Sequence, residues 1–200
     1  MKIITRSLAM LALTLGLLNA NAQKIKTKQG NPDVLKNESN INIEFTYDNI
    51  AVGKFDNEKD YIKKKTDEYN AKESGRGDIW AKDWINDRHG KYEPKFSDLY
   101  AITSHKTISK DAKYTLIFKT KFIEPGYNVM GGMVAFGGRK NAEIDAEAWI
   151  VETANRNNVI AVITIDKAPG GVWGGYDYDT GTRIAESYAM SGKKLAKYIY

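Results

Sequence analysis

The chain has no cysteine, and only two histidines and four prolines, in 200 residues. The absence of cysteine excludes disulfides, a thiol nucleophile and every cysteine-based metal site. It also removes the residue that carries the lipid of a bacterial lipoprotein. His89 and His105 lack H-x-x-x-H spacing and stand near no recognisable carboxylate set, so the zinc-hydrolase pattern is missing. Ser97, Ser104, Ser109, Ser187 and Ser191 lack a G-x-S-x-G context. Nothing points to a serine hydrolase, although triad partners meet in space rather than in sequence. An excess of one charge is lacking too. Thirty Lys and Arg against 25 Asp and Glu give a formal net charge of +5, without the clustered basic face that nucleic-acid binding requires. The expectation is a protein without enzyme activity, cofactor, metal or nucleic-acid partner.

One long apolar run is present, at the start. In MKIITRSLAMLALTLGLLNANAQ, Lys2 and Arg6 form a short positive region, and Leu8 to Leu18 an apolar one. Ala20-Asn21-Ala22 is a small-x-small cleavage site, which makes Gln23 the expected mature N-terminus. The run reads as a secretory signal peptide over residues 1–22, too short for a stable transmembrane helix. An exported domain without disulfides suits a bacterial periplasm, and the expected location is periplasmic or secreted.

Residues 23–40 are polar and aperiodic, and read as a mobile leader. INIEFTY then alternates, with Ile41, Ile43, Phe45 and Tyr47 on one side of a half-buried strand. A helical insert follows over about residues 57–104. Its expected features are a helix start at Asp56-Asn57-Glu58, an Asp78 cap, Trp80 and Trp84 at i and i+4, and a break at Gly90. The second half carries three strand patterns, AKYTLIFKTKF, NAEIDAEAWIV and NVIAVITID. It closes with a helix whose face is Ile184, Tyr188, Leu195 and Ile199. The expected fold is a single α+β domain over residues 41–200. Its sheet is mainly antiparallel, with about four to five strands and helices packed on one face.

Several motifs admit more than one reading. Glu143, Asp145 and Glu147 share a strand face, spaced ~6.5–7 Å. Retaining glycosidases hold their two carboxyls ~5–5.5 Å apart. Lys113, Lys119 and Lys121 on the neighbouring strand explain the acidic row as cross-strand ion pairs, with a metal site as the alternative. Trp80 and Trp84, with Tyr92 and Phe96, read as core contacts or as a sugar-stacking platform.

GGMVAFGG, residues 131–138, lacks the strand-to-helix setting of a phosphate loop and reads as a connection between two strands. Its apolar residues Met130, Met133 and Phe136 are candidate partner contacts. In GGVWGGYDYDTGTR, residues 170–183, Asp179 or Thr180 can cap the last helix. Asp177, Asp179 and Gly181 match a calcium loop poorly. Trp173, Tyr176 and Tyr178 are not needed for capping. They can pack on the sheet or face a partner, and complete the set of candidate contacts.

Residues 112–200 follow an order of motifs: AKYTLIFKTKF, EPG, a glycine-rich connection, AEIDAEAWIVE, NVIAVITID and GTRIAESYAMSGKKLAKYI. This half resembles uncharacterised exported bacterial families whose α/β domain is related to those of the curli secretion lipoprotein and the TolB amino-terminal domain. The resemblance implies envelope-associated binding or assembly and supplies no catalytic residue. The expected function is therefore a non-enzymatic exported module that binds another envelope component, a protein. A self-assembling subunit, forming a homo-oligomer, and a carbohydrate-binding protein are the alternatives.

Overall fold

A computed structural model describes residues 23–128, 138–171 and 179–200. The chain opens with β1 (Lys24–Gly30), a 3-10 turn (Pro32–Leu35), β2 (Asn40–Thr46) and β3 (Ala51–Val52). Three helices follow, α1 (Glu58–Asn70), α2 (Arg76–Asp87) and α3 (Glu93–Ser104), the last two joined by a π-helical turn, Arg88–Tyr92. The second half runs β4 (Thr107–Ile108), β5 (Tyr114–Glu124), β6 (Tyr127–Asn128), β7 (Arg139–Lys140), β8 (Ala142–Glu152), β9 (Val159–Gly170) and α4 (Thr180–Ile199).

The fold is α+β, but the expected sheet of four to five mainly antiparallel strands is corrected to a mixed sheet of seven. Its order is β1-β9-β8-β5-β2-β4, with β3 also beside β5. β1, β9, β8 and β5 pair antiparallel. β2, β3 and β4 join in parallel. The physical reason lies in the connection. Three helices separate β2 from β5, and a crossover of that length returns the chain to the end where β2 began, so the strands run the same way.

Lys24–Gly30, within the stretch read as a leader, forms edge strand β1. Only Ile25 and Thr27 of its first five residues turn inward, too few to register as alternation. β6 and β7 pair with each other in a separate ribbon. The glycine-rich segment between them therefore joins two strands.

The core lies between one face of the sheet and the helices. Leu116 and Phe118 of β5, Ile144, Ala148 and Ile150 of β8, and Ile163 and Ile165 of β9 are fully buried there. α4 meets them with Ile184, Tyr188, Leu195 and Ile199, the stripe read from its 3.6-residue period. Phe96 of α3 reaches the same layer, 4.5 Å from the Phe118 ring. α3 and α4 touch backbone to backbone at Gly192, where a Cβ would stand 2.3 Å from the Phe96 carbonyl oxygen.

Helix ends follow side-chain chemistry where it is local. Asn57 caps α1 by accepting from Asp60 N–H at 2.9 Å. Asp179 caps α4, accepting from Gly181 N–H at 3.0 Å and Thr182 N–H at 3.3 Å. α2 departs from expectation. It begins after Gly75 in a left-handed conformation, and Asp78 sits in its first turn rather than at its cap. Gly90 does not end a helix but lies within the π-helical turn that continues into α3.

Candidate binding cleft

α1 and α2 pack as a hairpin around aromatic rings. Tyr61 of α1 stands 5.8 Å from Trp80 and 5.0 Å from Trp84. Trp84 is buried, and its indole N–H donates to Glu58 Oε1 at 2.8 Å. The other oxygen of Glu58 takes Arg88. Trp80, half-buried, lies over Tyr69 at 5.7 Å. Of the four rings expected as a platform, Trp80 and Trp84 pack on each other at 5.6 Å, and the other two lie elsewhere in the core. Tyr92 stacks on Tyr188 at 5.1 Å, Phe96 packs on Phe118, and both are fully buried. Of the four, Trp80 alone is only half-buried.

That ring borders a cleft of about 450 Å³, lined by Tyr69, Trp80, Asp83, Asp87, Lys91 and Asp179, among others. Asp83 and Asp87 stand one turn apart on α2. Lys91 on the π-helical turn bridges Asp87 Oδ1 at 3.0 Å and Asp179 Oδ2 at 2.8 Å. Asp87 packs against the first turn of α4, where a Cβ on Gly181 would stand 1.8 Å from its Oδ2. Burial pushes the Asp87 carboxyl above its ordinary value, only partly offset by Lys91. For Asp179 burial acts the same way. The hydrogen bonds from Lys91, Thr182 and Gly181 outweigh it and bring the carboxyl below its ordinary value. Among the described residues Asp83 makes no such bond, and with Lys91, the one cation in the lining, committed to two carboxylates, the cleft is acidic.

Met130, Met133, Phe136, Trp173, Tyr176 and Tyr178 lie outside the described residues. Asp179, the first described residue after segment 172–178, lines the cleft. The cleft itself was not foreseen. Its one sequence signal is the i, i+4 ladder Asp83, Asp87, Lys91, a spacing that ordinarily marks surface pairs on a helix.

The acidic row on the open face of the sheet resolves differently from expectation. Register sets Lys119 opposite Glu147. The Lys119 ammonium instead lies over the Trp149 ring, 3.4 Å from its centroid. Glu147 is held by Lys28 of β1 at 2.8 Å and by the Trp149 indole N–H at 2.9 Å. Asp145 accepts from the Lys167 backbone N–H at 2.7 Å. Lys113 stands 3.8 Å from Glu38. Burial and the neighbouring Asp145 raise the Glu143 carboxyl, and the lysine that pairs with the row comes from the strand that sequence periodicity missed.

Among the described residues no helix is long and apolar enough to cross a membrane. No protein-family model matches the chain, and no curated protein matches it. Two solved structures show a weak likeness. One is the PelC dodecamer from Paraburkholderia phytofirmans, with 11% identity, 84% of this chain and 96% of that chain covered, and a TM-score of 0.35. The other is a single-residue variant of the PelC dodecamer from the same organism, with 9% identity, 88% and 99% coverage, and a TM-score of 0.33. Overlap this low carries nothing about what this chain binds or does.

Proposed function

We propose that this chain is an exported, non-enzymatic envelope module that binds another protein through the cleft between α2 and the start of α4. The observation that carries this reading is the pairing of half-buried Trp80 with exposed Asp83, which has no ion-pair partner among the described residues, in the lining of an acidic cleft. That combination suits a lysine or arginine side chain of a partner, held by the ring face and the carboxylate together. The signal-peptide pattern of residues 1–22 and the resemblance of residues 112–200 to exported families support the envelope setting. Asp87 and Asp179 are engaged by Lys91 and by the α4 cap, which leaves neither poised as a general base. A glycan platform is less well supported. Tyr69 is already fenced by Lys65, Lys72 and Arg76 of its own chain, at 5.9, 5.6 and 5.5 Å from its ring centroid, leaving half-buried Trp80 as the one further ring in the cleft that is not buried.

The test is photo-crosslinking in living cells, with the probe placed at position 80, at position 173 or, as a control, at exposed Lys193. The expected result is one discrete protein adduct from position 80 that is lost on Asp83→Lys. Equal labelling from positions 80 and 193 would overturn the reading. Quenching of tryptophan fluorescence by soluble glycans, without a protein adduct, would favour the carbohydrate alternative.

A further inference from the structure

The two edges of the sheet are built differently. β1 closes one side, with Lys24, Lys26 and Lys28 exposed along it and a bulge between Thr27 and Gln29. The Thr27 N–H, turned away from β9, donates to the Tyr198 hydroxyl at 2.9 Å. Charge, a bulge and a capped main-chain donor are all means of refusing a further strand.

The opposite edge has no bulge over Asn42–Thr46 and a single charged residue there, Glu44. β4 covers β2 only at Asn40 and Ile41, where Ser109 N–H donates to the Ile41 carbonyl at 3.0 Å. Main-chain groups alternate sides along a strand. Those of Ile43 and Phe45 therefore point the same way as those of Ile41, outward, with no strand beside them among the described residues. Register with β5 runs unbroken from Asn42 to Thr46. No lysine, proline or bulge interrupts the stretch.

A groove of about 590 Å³ runs beside this edge, bordered by Ile43 to Thr46 on one side and by His89, Glu93, Pro94 and Ser97 on the other. It shares no lining residue with the cleft of α2 and α4. The edge is braced from below. Phe45 meets Phe96 edge to face at 5.4 Å, and Tyr47 donates to Glu93 Oε1 at 3.2 Å.

A second copy of this chain fits poorly here. β4 blocks Asn40 and Ile41, so two β2 edges can overlap antiparallel only over Asn42–Thr46, centred on Glu44. That register sets the two Glu44 carboxylates directly opposite each other, a like-charge pair across the ladder. A lysine or arginine in the same place turns the repulsion into attraction. Glu44 is exposed and already accepts such a group, the Arg156 guanidinium at 2.7 and 3.1 Å, together with the Asn42 amide at 2.9 Å, so a partner's basic residue joins or displaces Arg156 there.

We propose that the β2 edge, through the outward main-chain groups of Ile43 and Phe45, takes an extended segment of another protein as an added strand. The segment places apolar side chains in the groove beside α3 and a basic residue opposite Glu44.

The test selects nonapeptides from a random displayed library on the full chain. It then measures amide exchange and affinity with the best synthetic peptide. The expected result is a sequence alternating apolar residues with a lysine or arginine. Its addition slows exchange at Ile43 and Phe45, and Glu44→Lys weakens binding about fivefold or more. Ile43→Pro, which removes one outward donor at an edge position where proline is tolerated, should abolish binding while the circular dichroism stays native. Failure to select any peptide would overturn the proposal, as would binding that leaves those two amides unprotected. Protection that rises with protein concentration alone would overturn it in favour of a second copy.

Discussion

Lys91 Nζ lies 2.8 Å from Asp179 Oδ2 and ties the π-helical turn after α2 to the cap of α4, 88 residues further along the chain. The same ammonium neutralises Asp87, so one cation closes the acidic cleft at its base. Removing it as Lys91→Met leaves two neighbouring carboxylates without their counter-ion. The pair is partly exposed, so the expected loss near neutral pH is about 1 kcal/mol, at the upper end for a solvated ion pair.

The pH dependence of that loss has a definite sign. The Asp87 carboxyl is raised by burial. A raised carboxyl stabilises the fold below its unfolded value, and that contribution is lost as pH rises through the folded value. Asp179 is lowered, so its contribution is present above the unfolded value and lost as pH falls through the folded one. Without Lys91 both carboxyls move upward. Lys91→Met should therefore lose more stability than the parent between about pH 4 and about pH 7. Urea melts at the two pH values check this, and parallel losses would show that Lys91 does not hold the pair.

Gly192 and Gly90 make a matched pair of glycine substitutions. A Cβ at 192 collides with the backbone carbonyl of Phe96, whereas nothing lies within 4 Å of a Cβ at 90. Gly192→Ala should destabilise by about 2–3 kcal/mol, because α3 and α4 must move apart. Gly90→Ala, in a helical turn, should be neutral or stabilising by up to about 1 kcal/mol. Chemical denaturation of both variants reads the difference directly.

The core contains one hydroxyl pair whose loss should be measurable. Thr120 Oγ1 and Tyr188 Oη stand 2.6 Å apart, both buried. Tyr188→Phe strands the threonine hydroxyl and should cost about 1–2 kcal/mol. The double variant with Thr120→Val should cost less than the sum of the single changes. Burial also raises the Tyr188 phenol well above its ordinary value. In an alkaline absorbance titration it should ionise only as the chain unfolds.

The signal-peptide reading has its own measurement. Amino-terminal sequencing of protein recovered outside the cytoplasm should begin at Gln23. Retention of Met1 on that material would overturn the cleavage site, and absence of the chain from that fraction would overturn the export assignment.

Local pattern was legible wherever a side chain's partner lies a few residues away. The alternation of β8 marked the buried row from Ala142 to Ile150. The 3.6-residue stripe marked the inner face of α4, and Asp179 was readable as its cap because the N–H groups it satisfies are two and three residues on. Strand order and the sites at the surface were not legible. β1 has only Ile25 and Thr27 to show, since an edge strand needs few apolar residues. The parallel pairing of β2 depends on where three intervening helices return the chain. The pairing of Lys28 with Glu147 and of Lys91 with Asp179 spans 119 and 88 residues. The amino-acid sequence by itself determined the long central strands and α4 and which face of each is apolar, because those follow from short-range sterics and the burial of periodic side chains. Tertiary packing alone decided the neighbours of each strand, the open edge at Ile43 and Phe45, and the acidic cleft, because charges and main-chain groups from distant segments meet only after the helices have docked on the sheet.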